Sequence, residues 1–130
     1  MTSFPEARDC SQHGLLTRLY SQQLERERRL HFGTDARCQL LTVTPHGEAL
    51  IAELVQSWGA YPIPIQADNQ EQWTLEILAA VQIDWALIRN GGVVAICNHE
   101  ATKRFKITQV EQDLSVGHVW RLTIEPTGER

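Results

Sequence analysis

The chain has 130 residues and a net charge of −4, with hydrophobic residues at 42% and charged residues at 22%. A domain of this length buries roughly two-thirds of its unfolded surface and can build a core without staples, and the composition excludes disorder, collagen and coiled coil. No apolar run approaches the roughly 20 residues that span a bilayer, and the opening MTSFPEARDC holds no hydrophobic signal core, so the expectation is a soluble cytoplasmic protein.

Residues 1–10 read as a flexible tail, and residues 11–130 as one domain. His13 to Leu30 places Leu15, Leu16, Leu19, Tyr20, Leu24 and Leu30 near one side of a 3.6-residue period, which predicts an amphipathic helix closed by Gly33 as a left-handed cap. Arg37 to Val43 reads as a short strand. In TPHGEALIAELVQSWG, Thr44 suits an N-cap and Pro45 the first helical position. Leu50, Ile51, Leu54, Val55 and Trp58 then form a helical stripe that Gly59 and Pro62 end, so the spacing predicts a second helix. The prolines of YPIPI mark a linker or a poor edge strand, and Asp68 with Glu71 resembles a capping box for a third helix over 69–80.

From there the period changes to two. Val81, Ile83, Trp85 and Leu87 alternate with polar or small residues, and Asn90-Gly91 is the dipeptide that mirror-image hairpin turns favour, so strands are expected at 81–88 and 92–97. Further strands are expected around Phe105 to Val110 and His118 to Ile124. The resulting order is α-β-α-α-β-β-β-β. That is an α+β domain in which an antiparallel sheet of about five strands carries two or three helices on one face.

LTVTPHGE at 41–48 returns as LTIEPTGE at 122–129, and both read as one way of leaving a sheet, with Pro ending the ladder and Gly in the following turn. The longer fragment LTVTPHGEALIAEL resembles the strand-to-helix junction of winged-helix regulators of the MarR type. The resemblance covers residues 41–54 alone, and the upstream helical region does not follow that family's pattern.

Charge is uneven along the chain. Residues 1–40 hold six Arg against five acids, residues 41–88 hold six acids and no Lys or Arg, and residues 89–130 hold six basic residues against five acids. The balance argues against a generic nucleic-acid binder, which needs a basic surface to displace phosphate counterions. An acidic stretch suits either solubility or docking to a basic protein surface.

Chemistry-bearing residues are sparse. Cys10, Cys38 and Cys97 form an odd set without CxxC spacing, and His13, His31, His46, His99 and His118 are scattered, so no disulfide framework, metal site or cofactor is expected. In CNHE, residues 97–100, Cys97 could act as a nucleophile if His99 or His118 served as its base; the alternative is a buried small residue followed by an Asn98 turn. Lys103, Arg104 and Lys106 around Phe105 form a basic and aromatic combination that suits phosphate contact, but the preferred expectation is an edge strand protected by charge.

Three readings follow. The first is a non-catalytic protein-binding regulator or inhibitor that uses an acidic surface across residues 48–84, with Glu71, Trp73, Glu76 and Tyr61 as contacts and a basic protein as partner. The second is a small enzyme or small-molecule binder with a pocket near Cys97, His99 and His118. The third is a nucleic-acid-binding regulator using Lys103, Arg104 and Lys106. A free sheet edge and four tryptophans are also compatible with a homodimer.

Overall fold

The computed structural model describes residues 3–64, 71–78, 83–84, 86, 88, 91–113 and 119–127, with the side chains of the first helix described from residue 18 onward. One long helix, α1 (Ser3–Phe32), precedes seven strands: β1 (Arg37–Thr44), β2 (Gly47–Leu54), β3 (Trp58–Pro62), β4 (Trp73–Leu78), β5 (Gly92–Cys97), β6 (Thr102–Asp113) and β7 (Val119–Pro126). The strands form one sheet in the order β2-β1-β5-β6-β7-β4-β3, and every pairing is antiparallel. The expected α+β domain with two or three helices and five strands is therefore corrected to a mostly β domain with one long helix.

α1 begins inside the segment expected to be a tail. Tyr20, Leu24, Arg28 and Phe32, spaced by four, turn inward, with Leu24, Arg28 and Phe32 buried; Leu19 and Leu30 face outward at 52% and 74% exposure. Gly33 closes the helix as its sequence predicts, with φ of 96° and its N–H donating to Arg29 O at 3.1 Å.

The second expected helix is strand β2. Pro45 fixes a negative φ, which closes the mirror-image turns that need positive φ at that position, and Gly47 at φ 116° completes the reversal. The Thr44 side chain supports the turn: its hydroxyl accepts from His46 N–H at 3.2 Å and donates to Gly47 O at 2.7 Å. Residues 47–54 then pair along β1 instead of coiling, with a bulge between Leu40 and Leu41. The supposed helical stripe is not a buried one, since Leu50 and Val55 are more than half exposed.

The third expected helix is strand β4, whose six residues WTLEIL are all buried. It lies between β3 and β7, and side chains on both of its faces are buried: Trp73, Leu75 and Ile77 in the main core and Thr74, Glu76 and Leu78 on the other side. The expected hairpin of 81–88 with 92–97 is absent from the described residues. Ala86 and Ile88 have helical backbone, Gly91 N–H donates to Ile88 O at 3.3 Å, and β5 pairs with β1 and β6. Val81, Trp85, Leu87 and Asn90 lie outside the described residues.

Register places side chains abreast. On one face, Ala60, Leu75, Leu122 and Val110 form a row across β3, β4, β7 and β6, and Leu40, Val94 and Phe105 form another across β1, β5 and β6. This face, joined by Phe32 and Ile88, is the main core. Each fully buried Leu or Ile here contributes roughly 1.5–3 kcal/mol relative to exposure. On the opposite face, Leu24 packs with Leu78 and Val119 in a second, smaller cluster beside Tyr20. α1 thus seals the β3 edge of the sheet and leaves the β2 edge open among the described residues.

The two echoes part company in burial. Leu122 and Ile124 point into the main core, whereas Leu41 is half-buried and Val43 is 58% exposed on the other face. The first echo reverses into β2; the second ends its ladder at Pro126, after which Thr127 N–H donates to Arg104 O at 3.1 Å.

Candidate functional site

A cleft of about 430 Å³ opens where the C-terminus of α1 and the 33–35 loop meet the turn between β5 and β6, lined by His31, Asp35, Asn98, His99 and Lys103 among others. Asn98 builds it. Its amide donates to Phe32 O at 2.6 Å, taking up one carbonyl left over at the helix end, while its side-chain oxygen accepts from the N–H groups of Glu100 and Ala101 at 2.8 and 3.0 Å. His99 then points across the cleft mouth, where Nδ1 hydrogen-bonds Asp35 Oδ2, and Glu100 lies 3.8 Å from Nε2. The Asp35 hydrogen bond, reinforced by its charge, raises the His99 pKa, and the same bond lowers that of Asp35. Deeper in, Trp73 meets the His31 ring edge-on at 5.2 Å, and Lys103 Nζ lies 5.8 Å from the Trp73 ring centre.

The arrangement supplies a polarised imidazole, and the expected nucleophile, Cys97, is not directed to it. Cys97 Sγ donates instead to Arg37 O at 3.9 Å, and Cys97 alternates with Ile96, which faces the main core, so the thiol lies on the other face of β5. His118 lies outside the described residues. The structure therefore brings His99 to a cleft and directs Cys97 away from the core-facing side.

Of the residues expected on an acidic docking surface, Trp73 and Glu76 are 6% and 3% exposed. Trp73 packs with Phe32 and Phe105, and its indole N–H donates to the exposed Glu71 at 2.7 Å. Glu76 accepts from Tyr20 OH at 2.5 Å and from Arg121 Nε at 2.6 Å, and Arg121 also donates to Asp113 at 3.1 Å. Tyr61, half-buried on β3, faces the same carboxylate, and burial followed by the Glu76 charge pushes its phenol up to about 12. Trp73 and Glu76 thus serve the join between α1 and the sheet, Tyr61 is half-buried beside Glu76, and Glu71 is exposed.

The basic trio divides. β6 is an interior strand, so the expected edge role does not apply, and alternation places Lys103 on the core-facing side with Phe105 while Arg104 and Lys106 face outward. Arg104 is ion-paired with Glu48 at the tip of the β1–β2 hairpin.

That outer side holds residues the sequence reading did not single out. Glu53, Leu50 and Glu48 stand opposite Gln39, Leu41 and Val43, which alternate with the buried Cys38 and Leu40, so the three share the outward face. A row of Leu50, Leu41 and Val93 crosses β2, β1 and β5, meets Lys106 of β6 and continues to Glu125 of β7. No local motif marks them, because the face emerges only when distant strands are paired.

Among the described residues no group of three or more His, Cys, Asp or Glu is arranged to hold a metal ion, and no helix is long and apolar enough to cross a membrane. Comparison with protein-family models, with curated proteins and with solved structures gave no match.

Proposed function

We propose that this protein is a non-catalytic binding module, a regulator or inhibitor, that receives an extended segment of another protein along the open edge of β2. One observation carries the reading: β2 pairs only with β1 among the described residues, whereas α1 covers the opposite edge at β3. An exposed edge presents unpaired backbone donors and acceptors, the template for strand addition. Beside it Glu48, Leu50 and Glu53 face outward, and Leu50 is 56% exposed. A strand laid along them gains most from Lys or Arg near the two glutamates with an apolar residue between, since opposite charges across a pair are favourable. The acidic character of the middle segment enters through Glu48 and Glu53.

A second copy of the chain fits less well. Antiparallel self-pairing centred on Leu50 and Ile51 sets Glu48 of one copy against Glu53 of the other, and like charges directly opposite are destabilising.

Selection of binders from a random displayed-peptide library tests the proposal. Enriched peptides should carry two basic residues flanking an apolar one, should slow hydrogen exchange of the β2 amides, and should lose at least ten-fold in affinity against Glu53→Lys. Binders that leave β2 exchange unchanged would overturn it.

The cleft supports a second reading, a site for a small polar molecule, because His31, His99, Lys103 and Asn98 converge on a space large enough to hold one. Fragment screening by NMR, with shifts confined to these residues, would favour it over strand addition.

A further inference from the structure

A separate cleft of about 240 Å³ lies at the β3 edge, lined by Ser21, Glu25 and Arg28 of α1 and by Gln56 and Ser57 of the turn between β2 and β3. Its wall contains a buried cation. Arg28 is 8% exposed, yet no carboxylate stands within ion-pair distance of it among the described residues; Glu25, one turn away, is engaged with Arg29 at 2.7 Å. The guanidinium is held by two contacts: NH1 donates to Trp58 O at 2.5 Å, and its central carbon sits 5.3 Å over the Trp58 ring. Among the described residues one of the fork's five N–H donors is used in that hydrogen bond, and Glu25 acts on the guanidinium through its charge from beyond ion-pair distance.

The opposite wall is also unusual. Ser57 holds φ of 70°, a conformation uncommon for residues other than glycine, and it is fixed there because its carbonyl accepts from Leu78 N–H at 2.9 Å. Strained backbone of this kind concentrates at ligand sites. The side chains of Ser21, Gln56 and Ser57 have no hydrogen-bond partner among the described residues, so two hydroxyls and an amide are available beside Arg28.

We propose that this cleft is an oxyanion site, in which Arg28 supplies the charge and Ser21, Gln56 and Ser57 supply the remaining donors to a phosphate or carboxylate group. A guanidinium already held by Trp58 O and placed over the Trp58 ring loses little freedom on binding, and its fork matches two oxygens of such a group. The volume admits a phosphate together with part of the group that carries it. The site is separate from the outward row of β2 and stands or falls independently of strand addition there.

NMR titration of the full chain with inorganic phosphate, with acetate, and with chloride at matched ionic strength provides the test. Saturable shifts at Ser21, Arg28, Gln56 and Ser57 are expected with phosphate, with an affinity on the order of 1 mM for the bare ion. Acetate saturating the same residues more tightly than phosphate would assign the carboxylate as the oxyanion; the reverse would assign phosphate. Because Arg28 also holds the helix to β3, its replacement risks the fold. The pair Ser21→Ala and Gln56→Ala removes donors from the cleft wall alone and should weaken binding about ten-fold with an unchanged melting temperature. Phosphate shifts no larger than those with chloride, or binding unaffected in that double variant, would overturn the site.

Discussion

Glu76 is the residue on which the join between helix and sheet converges. It sits mid-strand at 3% exposure and accepts hydrogen bonds from Tyr20 of α1 and Arg121 of β7, so one carboxylate ties three elements together. Both tyrosines of the chain face it. Burial, then the bond to Glu76, pushes Tyr20 well above the ordinary tyrosine range, and burial with the Glu76 charge pushes Tyr61 up to about 12. The sign of the linkage follows directly: a phenol whose folded pKa is raised favours the fold while it is neutral. Its contribution is complete below the unfolded value of about 10 and is lost as pH rises from there toward about 12. In an alkaline titration followed by phenolate absorbance, little signal should therefore appear near pH 10 while circular dichroism remains native. The absorbance should rise only at higher pH, together with unfolding. A phenolate midpoint near 10 in a still-folded protein would place at least one tyrosine outside this network.

At the scale of the element, two glycines separate close packing from turn chemistry. A Cβ on Gly59 would sit 2.8 Å from Leu24 Cα and closer still to the Leu24 carbonyl oxygen, all of it helix backbone that no rotamer change can move. Gly59→Ala must push α1 off β3, so its cost belongs at the upper end of overpacking, about 3 kcal/mol, with loss of the Tyr20 contact. A Cβ on Gly47 meets nothing within 4 Å, and the penalty there comes only from φ of 116°, about 1–2 kcal/mol. Urea denaturation of both variants should give that order, and equal midpoints would refute the proposed seat of the helix. The same elements explain what the sequence disclosed. Period-two runs at β6 and β7 were legible because one face of each carries the buried residues, whereas β5 was expected only as the second arm of a hairpin with 81–88 and in fact pairs with β1 and β6. EALIAEL was not, because Ala, Leu and Glu are good helix formers and pairing along β1 overrides that preference. WTLEIL carried a usable signal in its alternation of Trp73, Leu75 and Ile77 with Thr74 and Glu76, but the Asp68 and Glu71 spacing pointed to a helix. For the candidate cleft, His99 stood out in CNHE and Lys103 in the basic trio, whereas Asp35 did not; the His99 to Asp35 contact spans 64 residues and leaves no local trace.

The whole molecule is knit by its least local pairings. The β1–β2, β5–β6 and β6–β7 hairpins are each continuous in sequence, but the sheet closes only when Arg37 comes opposite Cys97 and when Trp73 comes opposite Ile124. Neither pairing is rewarded until long loops have been closed, and closure entropy is spent before the core forms. α1 cannot stabilise the process early, because Leu24 finds Leu78 and Val119 only after β4 and β7 have joined. Folding should therefore be governed by topology and fall in the milliseconds-to-seconds range of sheet proteins, well away from the microseconds of helical bundles. Tryptophan fluorescence in stopped-flow refolding reports on this directly, since Trp58 and Trp73 are buried against Phe32 at the point where helix and both halves of the sheet meet. A main phase completed within microseconds would mean that local helix and hairpin contacts assemble that aromatic cluster without the β1–β5 and β4–β7 pairings.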